Sequence, residues 1–286
     1  MVGVSATEQL SYENRGYLHE AFRLFHLSES MEEAPDWHYH TFHKIIVLHA
    51  GQFSYGIEGR SYPLQSGDIV LVPQGCIHRP EVRPGEPYER TILYLSPEFL
   101  REAGSDTCQL ESCFEQARSR FSFVVRPRSR QRELTALLSA LERALNEGGF
   151  GSDVLTRSML LEFLIRLTRG MQSHELLDAK ANVCDEKIAA ILRYLAEHLK
   201  EPVSIDELAA KFYISKYHMM RRFREETGYS IHSYLVSKRL MLARELLSGG
   251  MPVMEACYEC GFSDYSAFSR AYRKQFLQKP SDARNL

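Results

Sequence analysis

The stretch SIDELAAKFYISKYHMMRRF, Ser204 to Phe223, decides how the C-terminal part of this chain folds. Ser204 followed three residues later by Glu207 is a capping box, a pattern that starts a helix. After a short turn, Ser215 can cap a second helix. The apolar residues that recur at helical spacing are Ile205, Leu208, Ala209 and Phe212 in the first helix, and Met219 and Phe223 in the second. Two helices joined by so short a turn form a helix-turn-helix.

The same pattern returns further along the chain. With an offset of 48 residues, Ile205, Leu208, Ala209 and Phe212 match Val253, Ala256, Cys257 and Cys260. After the turn the offset becomes 49, and Ser215, Met219, Arg221 and Phe223 match Asp264, Phe268, Arg270 and Tyr272. Pro252 suits the first helical position, and Gly261 suits the turn. The sequence therefore predicts a first repeat, residues 204–227, and a second repeat, residues 252–276.

Cys257 and Cys260 spell CxxC, which can mark a redox pair or half of a zinc site. No second CxxC follows, and both cysteines occupy apolar positions of the repeat. We therefore interpret them as buried free cysteines of the helical core.

Between the repeats, SIHSYLVSKRLMLARELLSGG predicts one long helix that ends at Gly249-Gly250. Such a helix holds the second helix of each repeat in a fixed relation. The two can then enter successive faces of the DNA major groove about one turn apart.

The outward face of the second helix in each repeat predicts DNA contacts, against the alternative of a plain helical bundle. Arginine binds guanine through two hydrogen bonds, to O6 and N7. The candidate DNA-binding residues on these faces are Lys216, Tyr217, Met220, Arg221 and Arg224 in the first repeat, and Tyr265, Ser266, Ser269, Arg270 and Arg273 in the second. Candidates for neutralising phosphates are Arg222, Lys238, Arg239 and Lys274.

The N-terminal part has a different pattern. KIIVLHAGQFSYGIEGRSYPLQSGDIVLVP alternates short β-branched and aromatic runs with turn signals, which predicts an antiparallel barrel or sandwich. From about residue 130 to residue 172, leucines recur at helical spacing in two neighbouring segments. These helices could cover the open face of the β domain or form a dimer seam, and the pattern leaves both readings open.

The segment WHYHTFHK, Trp37 to Lys44, concentrates histidines at the start of this β domain. If it is a strand, His38, His40 and Lys44 share one face, and His43 faces the other way as a structural residue. Imidazoles can bind zinc, iron or nickel, but an ammonium group nearby repels a divalent ion where water is scarce.

The repeats resemble the DNA-binding region of the AraC/XylS family of bacterial transcription regulators. The matching elements are SIDELAAKFYISKYHMMRRFREETGYS, YLVSKRLMLARELL, and MEACYECGFSDYSAFSRAYRKQF with KPSDAR. One departure is Leu277, where the family usually has glycine. By this resemblance, the base-contacting positions are Tyr217, Met220 and Arg221 in the first repeat and Tyr265, Ser266, Ala267, Ser269 and Arg270 in the second.

The front half resembles the cupin-type sensing domain that is common in this family. The resemblance implies three imidazole positions, which His38, His40 and His78 occupy, and a carboxylate position, where Lys44 stands. With the carboxylate replaced by a cation, we predict a pocket for a small polar ligand, either a carboxylate or a sugar, rather than a metal centre. The candidate ligand-binding residues are Trp37, His38, His40, Lys44, Tyr55 and His78, with Tyr39 and Tyr62 as further stacking groups.

These observations predict an α+β chain of three regions: a cupin-like antiparallel β-barrel at 1–125, a helical dimerisation or linker region at 126–180, and an all-α DNA-binding domain with two helix-turn-helix motifs at 181–286. Its function would be sequence-specific transcription regulation, without catalysis, cofactor or metal. The expected partners are a double-stranded DNA operator, an unidentified small-molecule effector and a second copy in a homodimer. Two alternatives remain: a metal-dependent cupin enzyme, and a regulator that answers no small molecule.

Charge and hydropathy agree with this interpretation. From Asp185 to Leu286 there are 16 Lys and Arg against 13 Asp and Glu, a net charge of +3, while the rest of the chain has 19 against 24, or −5. A mildly basic C-terminal part suits an anionic partner. The sequence has no run of about 18 apolar residues and no secretory signal, so we expect a cytoplasmic protein without a membrane anchor.

Overall fold

The computed structural model describes residue 18 and residues 20–30, 34–81, 85, 87–183 and 185–285. It has two compact units. The first comprises most of the described chain up to Asn182, and the second comprises Asp36–His38, Glu58–Arg60 and the described residues from Val183 onward. The predicted helical region at 126–180 is part of the first unit, and residues 1–17 of the predicted β domain lie outside the described residues. Among the described residues, no helix combines the length and apolar character that a membrane span requires.

The first unit is built on antiparallel strands, as the sequence predicts. They are β1 (Phe22–Ser30), β2 (His43–Ala50), β3 (Ser54–Ile57), β4 (Arg60–Pro63), β5 (Ile69–Val72), β6 (His78–Glu81), β7 (Pro87–Leu95), β8 (Val124–Arg126), β9 (Leu177–Asp178) and β10 (Asn182–Val183). Their pairings give a six-stranded sheet in the order β1-β7-β2-β5-β8-β9 and a four-stranded sheet in the order β10-β4-β3-β6. The α+β class is confirmed, and the strands form two sheets.

The turn between β3 and β4 shows how local sequence determines this sheet. Glu58 and Gly59 both have positive φ, 47° and 72°, which is the conformation of a two-residue type I′ hairpin turn. This turn matches the twist of the flanking strands. On its other side, β3 pairs with β6, so that Tyr55 lies opposite Pro80 and Ile57 lies opposite His78.

Among the described residues of the first unit, the α-helices are α1 (Pro97–Ala103), α2 (Ser112–Arg120), α3 (Gln131–Glu147) and α4 (Ser152–Gln172). The leucine stripe of α3, which includes Leu134, Leu138 and Leu141, is buried in the same apolar core as the strands. Of the two readings of this stripe, the structure therefore supports the one in which the helices cover the β-sheets.

The second unit is all helical and contains both repeats. Its helices are α5 (Glu186–Glu197), α6 (Ile205–Lys211), α7 (Lys216–Thr227), α8 (Ile231–Ser248), α9 (Val253–Glu259) and α10 (Tyr265–Phe276). Helices α6 and α9 have seven residues each, and α7 and α10 have twelve each. The long helix α8 packs against α7, α9 and α10. The predicted repeat of two helix-turn-helix motifs is thus present.

Candidate functional sites

Helix α7 of the first repeat is oriented by its cap and its buried stripe. Ser215 accepts a hydrogen bond from the backbone N–H of His218 at 3.3 Å, as the sequence predicts for an N-cap. Met219 and Phe223 are completely buried. The outward residues that the sequence selected for DNA contact, Lys216, Tyr217, Met220, Arg221 and Arg224, are all exposed.

Helix α10 of the second repeat follows the same construction. The Asp264 carboxylate accepts a hydrogen bond from the N–H of Ala267 at 2.6 Å, and Phe268 and Tyr272 are completely buried. Of the selected contact residues, Tyr265, Ser266, Arg270 and Arg273 are exposed, whereas Ala267 and Ser269 are half-buried. One small difference lies upstream, where Pro252 is the N-cap of α9 and Val253 is the first helical residue.

The turns of the two repeats reach the left-handed conformation with different residues. Tyr213 has a φ of 49° in the first repeat, and Gly261 has a φ of 89° at the matching position of the second. A Cβ atom on Gly261 would lie 2.8 Å from the Lys200 carbonyl oxygen, closer than any van der Waals contact. The second turn therefore requires glycine both for its backbone conformation and for its close packing.

Three of the four candidate phosphate ligands, Arg222, Arg239 and Lys238, have structural partners instead. Arg222 donates hydrogen bonds to Asp185, Glu225 and Glu226 at 2.8–3.2 Å. The bond to Glu225, followed by that to Asp185, raises the pKa of this guanidinium. Arg239 donates to the carbonyl oxygens of Leu199 and Glu201. Assigning both arginines to DNA phosphates from charge alone overlooked these acceptors.

Lys274 is exposed, and its contact with a phosphate stays a prediction. Lys238 is half-buried, and its ammonium donates to the buried Glu58 carboxylate at 2.6 Å. The Asp185 carboxylate that receives Arg222 also accepts from the N–H groups of Ile188 and Lys187. Burial works to raise the pKa of Asp185, but the hydrogen bonds from Ile188, Arg222 and Lys187 outweigh it and lower the pKa below 3.8. Asp185 is therefore ionised at neutral pH and fixes α7 to the start of α5.

The structure confirms that Cys257 and Cys260 are buried free cysteines. Burial raises the pKa of both thiols, that of Cys260 to about 12. Since metals and disulfides require the thiolate, neither residue is prepared for such chemistry at neutral pH. The Cys260 thiol donates to the carbonyl oxygen of Cys257 at 3.3 Å.

A second candidate site lies inside the first unit, around the ring of Tyr94. Lys44, on β2, is 4% exposed, and its Nζ lies 5.6 Å from the centre of this ring. The ring of His40 lies 6.0 Å from Tyr94 and 5.0 Å from His78, and Tyr55 lies 6.0 Å from His78. Four of the six predicted ligand residues are therefore buried together: His40, Lys44, Tyr55 and His78.

The argument from strand parity was wrong for the first histidines, although the cluster forms. Strand β2 begins only at His43, after bends at residues 41 and 42, so His38 and His40 are not on the same strand as Lys44. Ring nitrogens of His38, His40 and His78 nevertheless lie within 4.8 Å of one another. Three imidazoles at this spacing can hold a divalent ion. The residue types alone did not show whether the three rings come close enough to do so.

The neighbouring residues have structural roles or remain predictions. His43 stacks on Phe114 at 4.1 Å and bonds to Glu111 through Nε2 at 3.1 Å, and burial lowers its pKa despite Glu111, so it faces away from the cluster as predicted. Tyr62, a predicted stacking group, donates its hydroxyl to the carbonyl oxygen of Phe121. Trp37 is half-buried, and its contact with a ligand stays a prediction.

Both parts of the chain match models of known protein families. A family model described as an AraC-like ligand binding domain matches residues 24–164, and a helix-turn-helix domain model matches residues 208–286. The transcriptional activator RhaS of Escherichia coli O6:H1 is 28% identical over 258 residues, which cover 86% of each chain.

Similar solved structures include two further regulators. One is a probable AraC family transcriptional regulator from Rhodopseudomonas palustris, 31% identical with a TM-score of 0.33, over 35% of this chain and 94% of that chain. The other is ToxT from Vibrio cholerae in its apo form, 12% identical with a TM-score of 0.40, over 92% of this chain and 97% of that chain.

Proposed function

We propose that the first unit of this AraC-family transcription regulator senses a small polar ligand and that both of its repeats read one operator. The chain has a ligand-binding domain and a helix-turn-helix DNA-binding domain. Its curated relatives are transcription regulators, which supports a function without catalysis. Because operator DNA lies in the cytoplasm of a bacterium, we place the protein there.

The ligand class follows from the groups around Tyr94. Lys44 and His40 lie against this ring, and His78 lies beside His40. This buried grouping of a cation with two imidazoles is the observation that carries the proposal. Buried imidazoles such as His40 and His78 can each donate or accept a hydrogen bond. A small ligand with a carboxylate and hydroxyl groups, such as a sugar acid, complements a cation, two imidazoles and the ring of Tyr55.

A thermal-shift screen with the full chain tests this assignment. The panel consists of neutral aldoses, their uronic acids and small carboxylic acids, each measured against the parent and Lys44→Met. We expect an acid to raise the unfolding midpoint of the parent, and the shift to disappear in Lys44→Met. The exposed residue Lys274 provides a matched control, since Lys274→Met should respond like the parent. An equal shift in Lys44→Met contradicts the proposal, and a response to no compound favours a regulator without an effector.

Metal content separates this function from that of a cupin enzyme. Lys44 occupies the position of the motif's carboxylate, and its Nζ lies against the same Tyr94 ring as His40. We expect the parent to purify without stoichiometric zinc, iron or nickel, and Lys44→Glu to gain affinity for a divalent transition metal. One tightly bound ion per chain in the parent would instead assign His38, His40 and His78 as its ligands and favour the metal-dependent alternative.

We also propose a homodimer, with its surface at the connection between α3 and α4. Leu138 and Leu141, on the stripe that suggested a dimer seam, are buried in the core, so a charge there would unfold the domain. Exposed apolar residues instead surround the connection, namely Leu145, Phe150, Val154 and Leu155. Contiguous exposed apolar side chains are typical of interaction surfaces.

Light scattering tests this surface. We expect Val154→Glu with Leu155→Glu to be a folded monomer, and Leu177→Glu, at an exposed apolar residue elsewhere, to remain a dimer. A dimer that persists in the double variant, or a parent that is monomeric throughout, contradicts the proposal.

A further inference from the structure

The outward face of the first repeat is unusually apolar for a surface that meets DNA. Tyr217 is 76% exposed and Met220 is 42% exposed, and Tyr213 precedes them in the turn at 89%. Single exposed apolar residues are common and need no explanation. These three lie in the turn and in the first half of α7, where they are exposed while Met219 and Phe223 are buried.

The grouping continues into a concavity of about 680 Å³. Tyr217 and Met220 line it together with Ile205 at the start of α6 and Ile231 at the start of α8, and all four present carbon-rich side chains. Apolar side chains that are contiguous in this way mark a surface that is covered by a partner.

The charges around the concavity identify this partner as DNA. Arg221 and Arg224 are exposed and line the same concavity, and Arg221 is only loosely paired with Glu225, at 4.0 Å. Cations around an apolar centre complement the major groove, where phosphates surround the base edges. The apolar group that base pairs present there is the C5-methyl of thymine, which alkyl side chains recognise by contact. Methionine suits this contact because its side chain is flexible and polarizable.

The second repeat lacks this feature at every matching position. Tyr213, Tyr217 and Met220 correspond to Gly261, Ser266 and Ser269, whereas Arg221 and Arg224 correspond to Arg270 and Arg273. The cations are therefore shared between the repeats, whereas the apolar residues at these three positions occur only in the first, and the second exposes Tyr265 at a neighbouring position instead. If the helix-turn-helix fold itself required apolar residues at these three positions, both repeats would have them.

We propose that the first repeat recognises the 5-methyl groups of pyrimidines through Met220 and Tyr217, and that the second repeat reads its bases without them. The half-site of the first repeat then contains thymine at one or two required positions. Cytosine methylated at C5 partly replaces thymine there, so that binding at this half-site responds to DNA methylation.

Base analogues in a selected operator test the proposal with the full chain. The operator is obtained by repeated selection from random duplexes, and the half-sites are assigned with Arg221→Ala and Arg270→Ala. Replacing a contacted thymine by uracil removes only the methyl group. We expect affinity to fall about fourfold in the half-site of the first repeat, corresponding to about 0.8 kcal/mol for one buried carbon group. The same replacement in the other half-site should change affinity by less than about twofold, on the same scale.

Two variants show whether the named side chains are responsible. Met220→Ser and Tyr217→Ser introduce the residues of the second repeat at exposed positions, so the fold is retained, and thermal unfolding checks this. In these variants we expect the preference for thymine over uracil, and for 5-methylcytosine over cytosine, to disappear. Ser269→Ala is the matched control and should keep both preferences. A first half-site without thymine, or a methyl preference that survives both substitutions, overturns the proposal.

Discussion

The two repeats of the second unit are alike in the residues they bury and different in the residues they expose. In both, a seven-residue helix and a twelve-residue helix pack through the same apolar positions, and a side-chain oxygen caps the second helix. Outside this core, the repeats differ in the residue of the turn, in the ion pairs and in the outward face. The core positions thus determine a common scaffold, and the exposed positions are free to adapt each copy to its own part of a DNA site.

The charged residues of α7 and α10 illustrate how the two repeats differ. Helix α7 has four Lys and Arg and two Glu, a net charge of +2, while α10 has three Lys and Arg and no acid, a net charge of +3. In α7, Arg222 bonds to three carboxylates, and its counterpart in α10 is Ala271. Helix α7 is therefore held by ion pairs, whereas α10 depends on the glycine turn before it and on its buried aromatic residues.

The glycine turn of the second repeat gives the largest expected effect. We expect Gly261→Ala to lower the free energy of unfolding by about 2–3 kcal/mol, because alanine is strained at positive φ and its Cβ would clash with the Lys200 carbonyl oxygen. Chemical denaturation measures this change. Gly249→Ala, at a φ of −75°, is the control and should have a much smaller effect. Equal effects at both glycines would remove the distinction between the turns.

The arginines shared by the repeats give the next effect, on DNA affinity. We expect Arg270→Ala to weaken operator binding by about 2 kcal/mol and to relax preference at one base pair, as for a side chain that contacts guanine. Arg221→Ala should cost less, since Arg221 has Glu225 nearby and apolar neighbours that also contribute. Fluorescence anisotropy with single base-pair variants measures both. Parent-like binding by both variants would contradict the assignment of the reading residues.

Arg222 sharpens the comparison because its role is structural. We expect Arg222→Ala to lower the midpoint of thermal unfolding, since the Asp185 carboxylate loses its partner, and to leave the salt dependence of DNA binding unchanged. Lys274→Ala should do the reverse and reduce the slope of log affinity against log salt by about 1, as expected for one phosphate contact. A reduced slope in Arg222→Ala would restore the phosphate role that charge alone suggested.

The smallest expected effect is on stability, at two residues that have positive φ although they are not glycine, Tyr213 and Leu277. Tyr213→Gly should stabilise the second unit by about 0.5 kcal/mol, because relief of the strain slightly exceeds the entropy that glycine loses on folding. Leu277, which ends α10 at a φ of 56°, gives a parallel test with the same expected sign. Loss of stability in both variants would show that these side chains make contacts worth more than the strain.

The sequence predicted the second unit well because its signals are local. Ser204, Ser215 and Asp264 each cap a helix within three residues, and the buried positions follow the helical period. The partners of Arg222 were partly predictable in the same way, since Glu225 and Glu226 lie three and four residues away. Only Asp185, which is distant in sequence, required the structure.

The first unit was less predictable because its site depends on distant contacts. Nothing in the hydropathy of Lys44 indicates that it is buried against Tyr94, fifty residues later in the chain. Periodicity also predicts that the leucines of α3 have a partner without indicating which one, so Leu138 and Leu141 suited a dimer seam as well as the core that they occupy. The sequence also did not indicate the bends at residues 41 and 42. Because of these bends, His38 and His40 do not share one strand face with Lys44, as had been predicted.

The central claim is that two repeats with the same buried core recognise different base pairs. The most direct test is to select binding sites for the full chain from random DNA. We predict an operator with two enriched half-sites, centred about one helical turn or 10 base pairs apart, with required thymines in one and guanine contacted by Arg270 in the other. A single enriched half-site, or two copies of the same half-site for one chain, would contradict this account.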